Sequence, residues 1–383
     1  MDVSSGLVIG RIRGVEIRVH WSWLIIFWLI AWTLSEGLFP TYQPQWDERS
    51  LWVAGVVSSL LFFGSVLFHE LSHTFVALHY RMRVPSITLF VFGGVSQIAD
   101  EMRSPRQEFL ISVAGPLSSW LLAVIFGALW AVFQAEPFSV VFGYLGVVNF
   151  LLGAFNLLPG FPLDGGRVFR SIMWGRLHDL TRATQIASRV GQGIAWVMIA
   201  VGIAFMVFVN WGGLWYVLIG LFLKNASENA YAQLLLERAL RDLKVRELMQ
   251  PAPEPVLETW SLQRVADERV LAQAQRALFV EDMGHVSGLI TVADLSKVPR
   301  AQWETTTVRA AMVPAERVIT VTSEVSALEA MRLMQEHDVH QVPVIDDGTL
   351  VGLLTRGDVL RRLELNALVG NFEPEAGDEA TRE

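Results

Sequence analysis

The chain has 383 residues, enough for two or three domains, and 52% of them are hydrophobic, including 14 Trp and 22 Phe, which is too apolar for an ordinary soluble protein. It holds no cysteine, so disulfides, thiolate metal sites and cysteine nucleophiles are excluded. A net charge of −8 without a clustered basic face argues against nucleic acid as a partner.

Charge is scarce before about residue 225 and plentiful after it, the pattern of a membrane half followed by a soluble half. Residues 1–18 read as a short polar start carrying Arg11, Arg13 and Arg18. The apolar run from about His20 to Leu34 is the first membrane segment. It reads as an uncleaved span rather than a signal peptide, because no small-x-small site follows and Trp21, Trp23, Trp28 and Trp32 suit an anchored helix. His20, at its edge, reads as interfacial. Further apolar runs at about 51–79, 109–133, 138–158, 187–209 and 211–224 bring the count to about six spans, the last the shortest. Both termini then lie on one side. Arginines crowd the start, the 81–106 connection and the 167–189 region on that side, whereas Arg49 stands alone between spans on the other. The positive-inside rule places both ends in the cytoplasm of a multi-pass protein of the cell membrane.

The second run contains His69-Glu70-Leu71-Ser72-His73. Residues four apart share a helix face, so both imidazoles can point at one spot, with Glu70 beside them. In this H-E-x-x-H arrangement two histidines hold Zn²⁺ and the glutamate serves as general base. Such residues are costly in a membrane-length helix unless they meet a partner or line a wet cavity. The competing reading is a chance match, a polar helix end facing its neighbours. On a helix leaving the membrane near Tyr80, His73 lies roughly 10 Å and His69 roughly 16 Å before the cytoplasmic end.

Ser86 to Ile98, β-branched and aromatic around Gly93-Gly94, reads as a membrane-associated β-hairpin. It is either a plain connection or an exposed edge that captures an extended peptide by strand addition. The fourth span ends in Phe155-Asn156-Leu157-Leu158-Pro159-Gly160-Phe161-Pro162-Leu163-Asp164-Gly165-Gly166, whose prolines and glycines cannot continue a helix. Unwound backbone at membrane depth requires protein or water around it. The break is level with the histidines, so Asp164 is a natural third metal ligand, leaving a fourth position for water. Alternatively, it caps the short helix that follows.

The soluble half repeats itself. Val245-Arg246-Glu247-Leu248-Met249-Gln250-Pro251 recurs as Val308-Arg309-Ala310-Ala311-Met312-Val313-Pro314, and Gly288-Leu289-Ile290-Thr291-Val292-Ala293-Asp294 recurs as Gly352-Leu353-Leu354-Thr355-Arg356-Gly357-Asp358. Each copy mixes short strands and amphipathic helices, an α+β module. Neither contains a nucleophile–base pair or metal spacing, which favours sensing or dimerisation over catalysis.

Together these residues make the chain resemble the site-2 protease family of intramembrane zinc metalloproteases, in the branch that carries C-terminal cystathionine-β-synthase (CBS) repeats. His69 to His73 matches the family's zinc helix, and Asn156-Leu157-Leu158-Pro159 with Leu163-Asp164-Gly165 matches its second motif. The resemblance implies Asp164 as third ligand, Asn156 as a residue that holds substrate or the transition-state oxygen, and the Gly93-Gly94 hairpin as substrate-side strands. In the CBS family the repeated threonine and aspartate contact an adenine nucleotide such as ATP or AMP, which implicates Thr355 and Asp358, and Thr291 and Asp294. Ala114-Gly115-Pro116-Leu117-Ser118-Ser119 departs from the family, with serine where relatives often carry asparagine.

The implied architecture is an α-helical polytopic membrane domain, about six transmembrane helices with the β-hairpin, followed by an α+β CBS-pair domain. Its expected divisions are 1–226 for the protease, 227–243 for a helical linker, 244–365 for tandem CBS domains (about 244–298 and 307–365) and 366–383 for an acidic disordered tail. The expected reaction is hydrolysis of a peptide bond in or next to a transmembrane segment of a membrane protein, with one Zn²⁺ per chain and Glu70 as base. Control would pass through the CBS pair, which also suggests a homodimer. The rival is an ion or metal transporter or channel gated by its CBS pair. Chelation and peptide cleavage separate the two.

Overall fold

A computed structural model describes residues 6–368 except 92, 99–101, 274, 276, 283, 284 and 348. The acidic tail expected over 366–383 lies outside the described residues from 369 on. The chain divides into two compact units that meet at Leu234 and Leu235.

The first unit opens with two strands, β1 (Leu7–Ile12) and β2 (Val15–Val19), followed by helices α1 (Ser22–Tyr42) and α2 (Glu48–His79). Next come β3 (Ser86–Phe90), β4 (Gly93–Ser96), α3 (Pro105–Val132) and α4 (Phe138–Asn156). After a turn follow α5 (Asp164–Leu177), α6 (Leu180–Phe208) and α7 (Gly213–Asp242), the last crossing the boundary between units. Local chemistry sets several ends. Asp47 accepts from the Ser50 N–H at the start of α2, and Ser104 accepts from Gln107 with Pro105 in the first turn of α3.

Within the stretch read as a short polar start, residues 7–12 and 15–19 are strands. β1, β2, β3 and β4 form one sheet in that order, with β2 parallel to β3 and β3 antiparallel to β4. Val15 and Ile17 face inward while Glu16 and Arg18 face outward, and Val15 packs with Leu71, Ala77, Ile87 and Ile111. The charges mask a short strand whose partner is seventy-odd positions away. His20, read as interfacial, is buried with Nδ1 2.8 Å from the Ser22 hydroxyl.

Among the described residues, α1, α2, α3, α4 and α6 are long and apolar enough to cross a membrane. The sixth run expected at 211–224 falls in the first half of α7, which continues as a charged helix and does not meet that standard as a whole. Small residues let α6 and α7 approach closely: a Cβ on Gly202 would lie 2.8 Å from the Gly213 carbonyl oxygen. At one end of the bundle the Glu136 carboxylate accepts from Trp46 Nε1 at 2.8 Å and from Gln43 Nε2, tying two connections together.

The second unit holds two sheets built with crossed strands. β5 (Gln250–Pro251), from the first repeat, pairs with β11 (Thr349–Thr355), which also pairs with β10 (Gln341–Asp346). Conversely β9 (Val313–Pro314), from the second repeat, joins β6 (Val256–Leu257), β7 (Ala277–Asp282) and β8 (His285–Thr291). The repeated glycines sit where these crossed strands touch. A Cβ on Gly352 would meet the Gln250 carbonyl oxygen at 2.7 Å, and one on Gly288 would meet Met312 Sδ at 2.9 Å. Each copy thus completes the other's sheet.

Candidate metal centre

His69 and His73 occupy successive turns of α2, and both are buried. Their Nε2 atoms are 3.2 Å apart, and Asp164 Oδ2 lies 3.1 Å from the first and 3.2 Å from the second. The triangle matches a tetrahedral Zn²⁺ shell, in which N and O ligands about 2.0–2.1 Å from the ion stand about 3.3 Å from one another.

The carboxylate reaches this spot because α4 ends at Asn156 and the chain folds back on itself. Leu163 donates to the Gly160 carbonyl at 3.1 Å and Gly166 donates to that of Leu163 at 3.0 Å. Gly165 and Gly166 have no room for a Cβ: one on Gly166 would strike Phe161 N at 2.5 Å, and one on Gly165 would strike the Leu158 carbonyl oxygen. Asp164 is the first residue of α5, yet the preceding residue, Leu163, makes no side-chain cap and the Asp164 carboxylate faces the imidazoles. The capping role weighed for Asp164 is therefore not the one it plays here.

Helix α3 supplies the surroundings that motif reading missed. His73 Nδ1 donates to the Ile111 carbonyl oxygen at 2.6 Å, and His69 Nδ1 lies 2.9 Å from the Ser119 hydroxyl. A carbonyl can only accept, so His73 carries its proton on Nδ1 and presents a bare Nε2 lone pair to the centre. Gly115, between these partners on α3, approaches closely enough that a Cβ would sit 2.5 Å from His69 Nε2 and also strike His73 Nε2. The small residues of the Ala114–Ser119 stretch were the available signal. The serine at 119, a departure from the family pattern, makes a direct contact here.

Farther along α5, Arg170 Nε donates to Glu108 Oε1 at 2.8 Å, and its guanidinium stacks 5.1 Å over the Phe161 ring. Glu108 is fully buried in α3. This ion pair ties the helix that carries Asp164 to the helix that backs both histidines.

Glu70 lies on the neighbouring face of α2. Its Oε2 accepts from the Ser96 hydroxyl of β4 at 2.7 Å, and a Cβ on Gly94 would lie 3.2 Å from Oε1. The Gly93–Gly94 hairpin thus packs on Glu70. Asn156 is not drawn into the triangle: its Nδ2 donates to the Leu152 carbonyl one turn back in α4.

In the second unit, Thr291 and Thr355 each close a capping box with the aspartate three residues on. Thr291 Oγ1 donates to Asp294 Oδ2, and Thr355 Oγ1 to Asp358 Oδ2, both at 2.6 Å. The other carboxylate oxygens take bonds from Lys297 Nζ at 2.8 Å and Gln250 Nε2 at 2.5 Å.

The sequence pattern of peptidase family M50 matches residues 57–141 and 132–200, and that of the CBS domain matches residues 308–365. The zinc metalloprotease MJ0392 of Methanocaldococcus jannaschii is 28% identical over 93% of this chain and 95% of its own. Rip3 of Mycobacterium tuberculosis is 32% identical over 95% of this chain and 94% of its own. The Synechocystis protein sll0528 is 31% identical over 95% and 97%. Both of these carry provisional zinc metalloprotease names. A solved site-2 protease from Methanocaldococcus jannaschii aligns with 59% of this chain and 95% of its own, at 27% identity and a TM-score of 0.44. With a likeness running the full length of these relatives, the chain belongs to peptidase family M50, the site-2 proteases, and is a membrane zinc metalloprotease with a C-terminal CBS domain.

Proposed function

We propose that the chain hydrolyses a peptide bond in or next to a transmembrane segment of a membrane protein, with His69, His73 and Asp164 as zinc ligands and Glu70 as general base. The carrying observation is the triangle of donor atoms 3.1–3.2 Å on a side, within the bundle. Zn²⁺ held there supplies a Lewis acid that brings the pKa of a water towards neutrality. Glu70 takes the proton of the attacking water and delivers it to the leaving amine. Ile111 and Ser119 keep the two imidazoles turned towards the centre. A helical peptide bond is shielded by its own backbone, so substrate must unwind. The open edge of β4, with Gly93 and Gly94, pairs with the unwound strand. Asn156 is the last residue of α4 before the chain break, where its Nδ2 group can donate to substrate or to the transition-state oxygen after leaving the Leu152 carbonyl.

The first half of α7 completes a sixth crossing, with both termini cytoplasmic. Exposed Leu214, Trp215, Leu218 and Phe222 on that half suit lipid contact. The repeats at about 244–298 and 307–365 act as a CBS pair that modulates cleavage by binding an adenine nucleotide through Thr291, Asp294, Thr355 and Asp358, and joins two chains as a homodimer. Nucleotide must displace Gln250 to reach Asp358 and Lys297 to reach Asp294.

The decisive experiment compares purified wild type with Glu70→Gln and Asp164→Asn. Glu70→Gln retains about one zinc per chain and does not cleave, whereas Asp164→Asn loses both zinc and cleavage. Unchanged turnover in Glu70→Gln removes the glutamate from the mechanism.

A further inference from the structure

We propose that Ser96 is a positioning residue for Glu70, so that one strand both seats the substrate and aims the general base. The inference rests on the reading of Glu70 as base and of β4 as the substrate-pairing edge.

The Ser96 hydroxyl donates to Glu70 Oε2 at 2.7 Å and accepts from Thr74 Oγ1, one turn further along α2, at 3.3 Å. Thr74 is fully buried, which leaves the donor of this chain little freedom. Two residues earlier on the same face of β4, Gly94 stands so close that a Cβ would be 3.1 Å from Glu70 Cδ. The carboxylate is thus held between a hydroxyl and a bare backbone.

Strand register assigns the same two residues a second role. Gln97 donates to the Ser86 carbonyl at 2.9 Å, and Ser96 lies opposite Ile87 with Gly94 opposite Leu89. In an antiparallel ladder, bonded and non-bonded pairs alternate, so Ser96 and Gly94 belong to the non-bonded kind. Their N–H and C=O groups point away from β3, towards the open edge, since β4 ends the sheet among the described residues. A strand pairing there bonds to the backbone of Gly94 and Ser96, whose other face touches Glu70. Register of the substrate and orientation of the base are coupled through two residues. Val95, between them, has its side chain on the opposite face of β4, away from Glu70.

The test uses the full chain in liposomes and, as probe, a synthetic single-helix transmembrane peptide with a central Asn-Pro and a fluorophore–quencher pair. Ser96→Ala is expected to lower kcat about 10- to 100-fold, the cost of a misplaced catalytic group, with KM within about twofold and zinc content unchanged. Ser96→Thr, which keeps the hydroxyl, restores most of kcat. Gly94→Ala, whose φ is not in the left-handed region, lowers kcat by crowding Glu70. The proposal is overturned if Ser96→Ala keeps wild-type kcat, raises KM alone, or loses zinc or its fold, or if Ser96→Thr is as slow as Ser96→Ala. Equal cleavage by wild type and Glu70→Gln is a separate result: it defeats the assignment of the base, whatever Ser96 does.

Discussion

His73 donates its Nδ1 hydrogen to the carbonyl oxygen of Ile111 across 2.6 Å, so a backbone group of α3 decides which nitrogen of an α2 histidine faces Asp164. Ser119, two turns further along α3, places its hydroxyl 2.9 Å from His69 Nδ1 and so holds the orientation of that ring. Partners of this kind turn the ring and fix its tautomer, and their loss typically lowers metal affinity 10- to 100-fold.

Ser119→Ala should therefore fold and weaken zinc binding about 10- to 100-fold, read by competition with a chelator. Gly115→Ala should be more severe. Alanine favours helix over glycine by about 1 kcal/mol, so α3 survives, but its Cβ meets both Nε2 atoms where the ion would sit. The expected outcome is a folded chain with sub-stoichiometric zinc and no cleavage.

The Glu108–Arg170 pair predicts an asymmetry between single and double variants. Removing Arg170 leaves the fully buried Glu108 charge alone and should cost about 3–5 kcal/mol, whereas removing Glu108 should cost less because Arg170 is partly exposed. Arg170→Met should lower the unfolding temperature and zinc retention together, because α5 positions Asp164. Glu108→Leu with Arg170→Met should recover much of the stability, since apolar replacements leave no charge unpaired. Thermal unfolding of the detergent-solubilised chain measures both.

Topology can be read with single cysteines, because the chain has none of its own. Gln43→Cys and Asn210→Cys should react with an impermeant thiol reagent applied outside, and Arg103→Cys only after permeabilisation. Glu254→Cys decides the sixth crossing. It behaves like Arg103→Cys if α7 crosses and like Gln43→Cys if it does not.

Asp294 links the second unit to pH. Burial pushes its carboxyl up, but the Lys297 ammonium and the Thr291 hydrogen bonds outweigh this and hold it below the usual carboxylate range. A depressed folded pKa contributes stability that is present above the unfolded value near 3.9 and is lost as pH falls. Asp294→Asn should cost about 1 kcal/mol at neutral pH, as for a lost cap. The gap from wild type should close between about pH 5 and pH 2. Limited proteolysis of the CBS region in the full chain would follow it, and a gap that widens on acidification would contradict the linkage.

Sequence alone determined whatever depends on neighbours along the chain. Hydropathy marked the long helices, since apolar length sets what can cross a bilayer. The four-residue interval put His69 and His73 on one face, and the prolines and glycines after Asn156 marked the break. The repeat was legible as well, though not that Gln250–Pro251 and Val313–Pro314 each complete the other copy's sheet.

Only the tertiary structure decided what converges from distant segments. Asp164 meets the histidines because two glycines let the chain fold tightly onto the end of α4, and β2 becomes a strand because β3 pairs with it. The contacts of Gly115, Ile111 and Ser119 with the imidazoles, and of Ser96 with Glu70, depend on how closely separate elements pack. Local periodicity records which way a side chain points, but not what stands opposite, and in this protein the groups opposite are what turn a helix motif into a site.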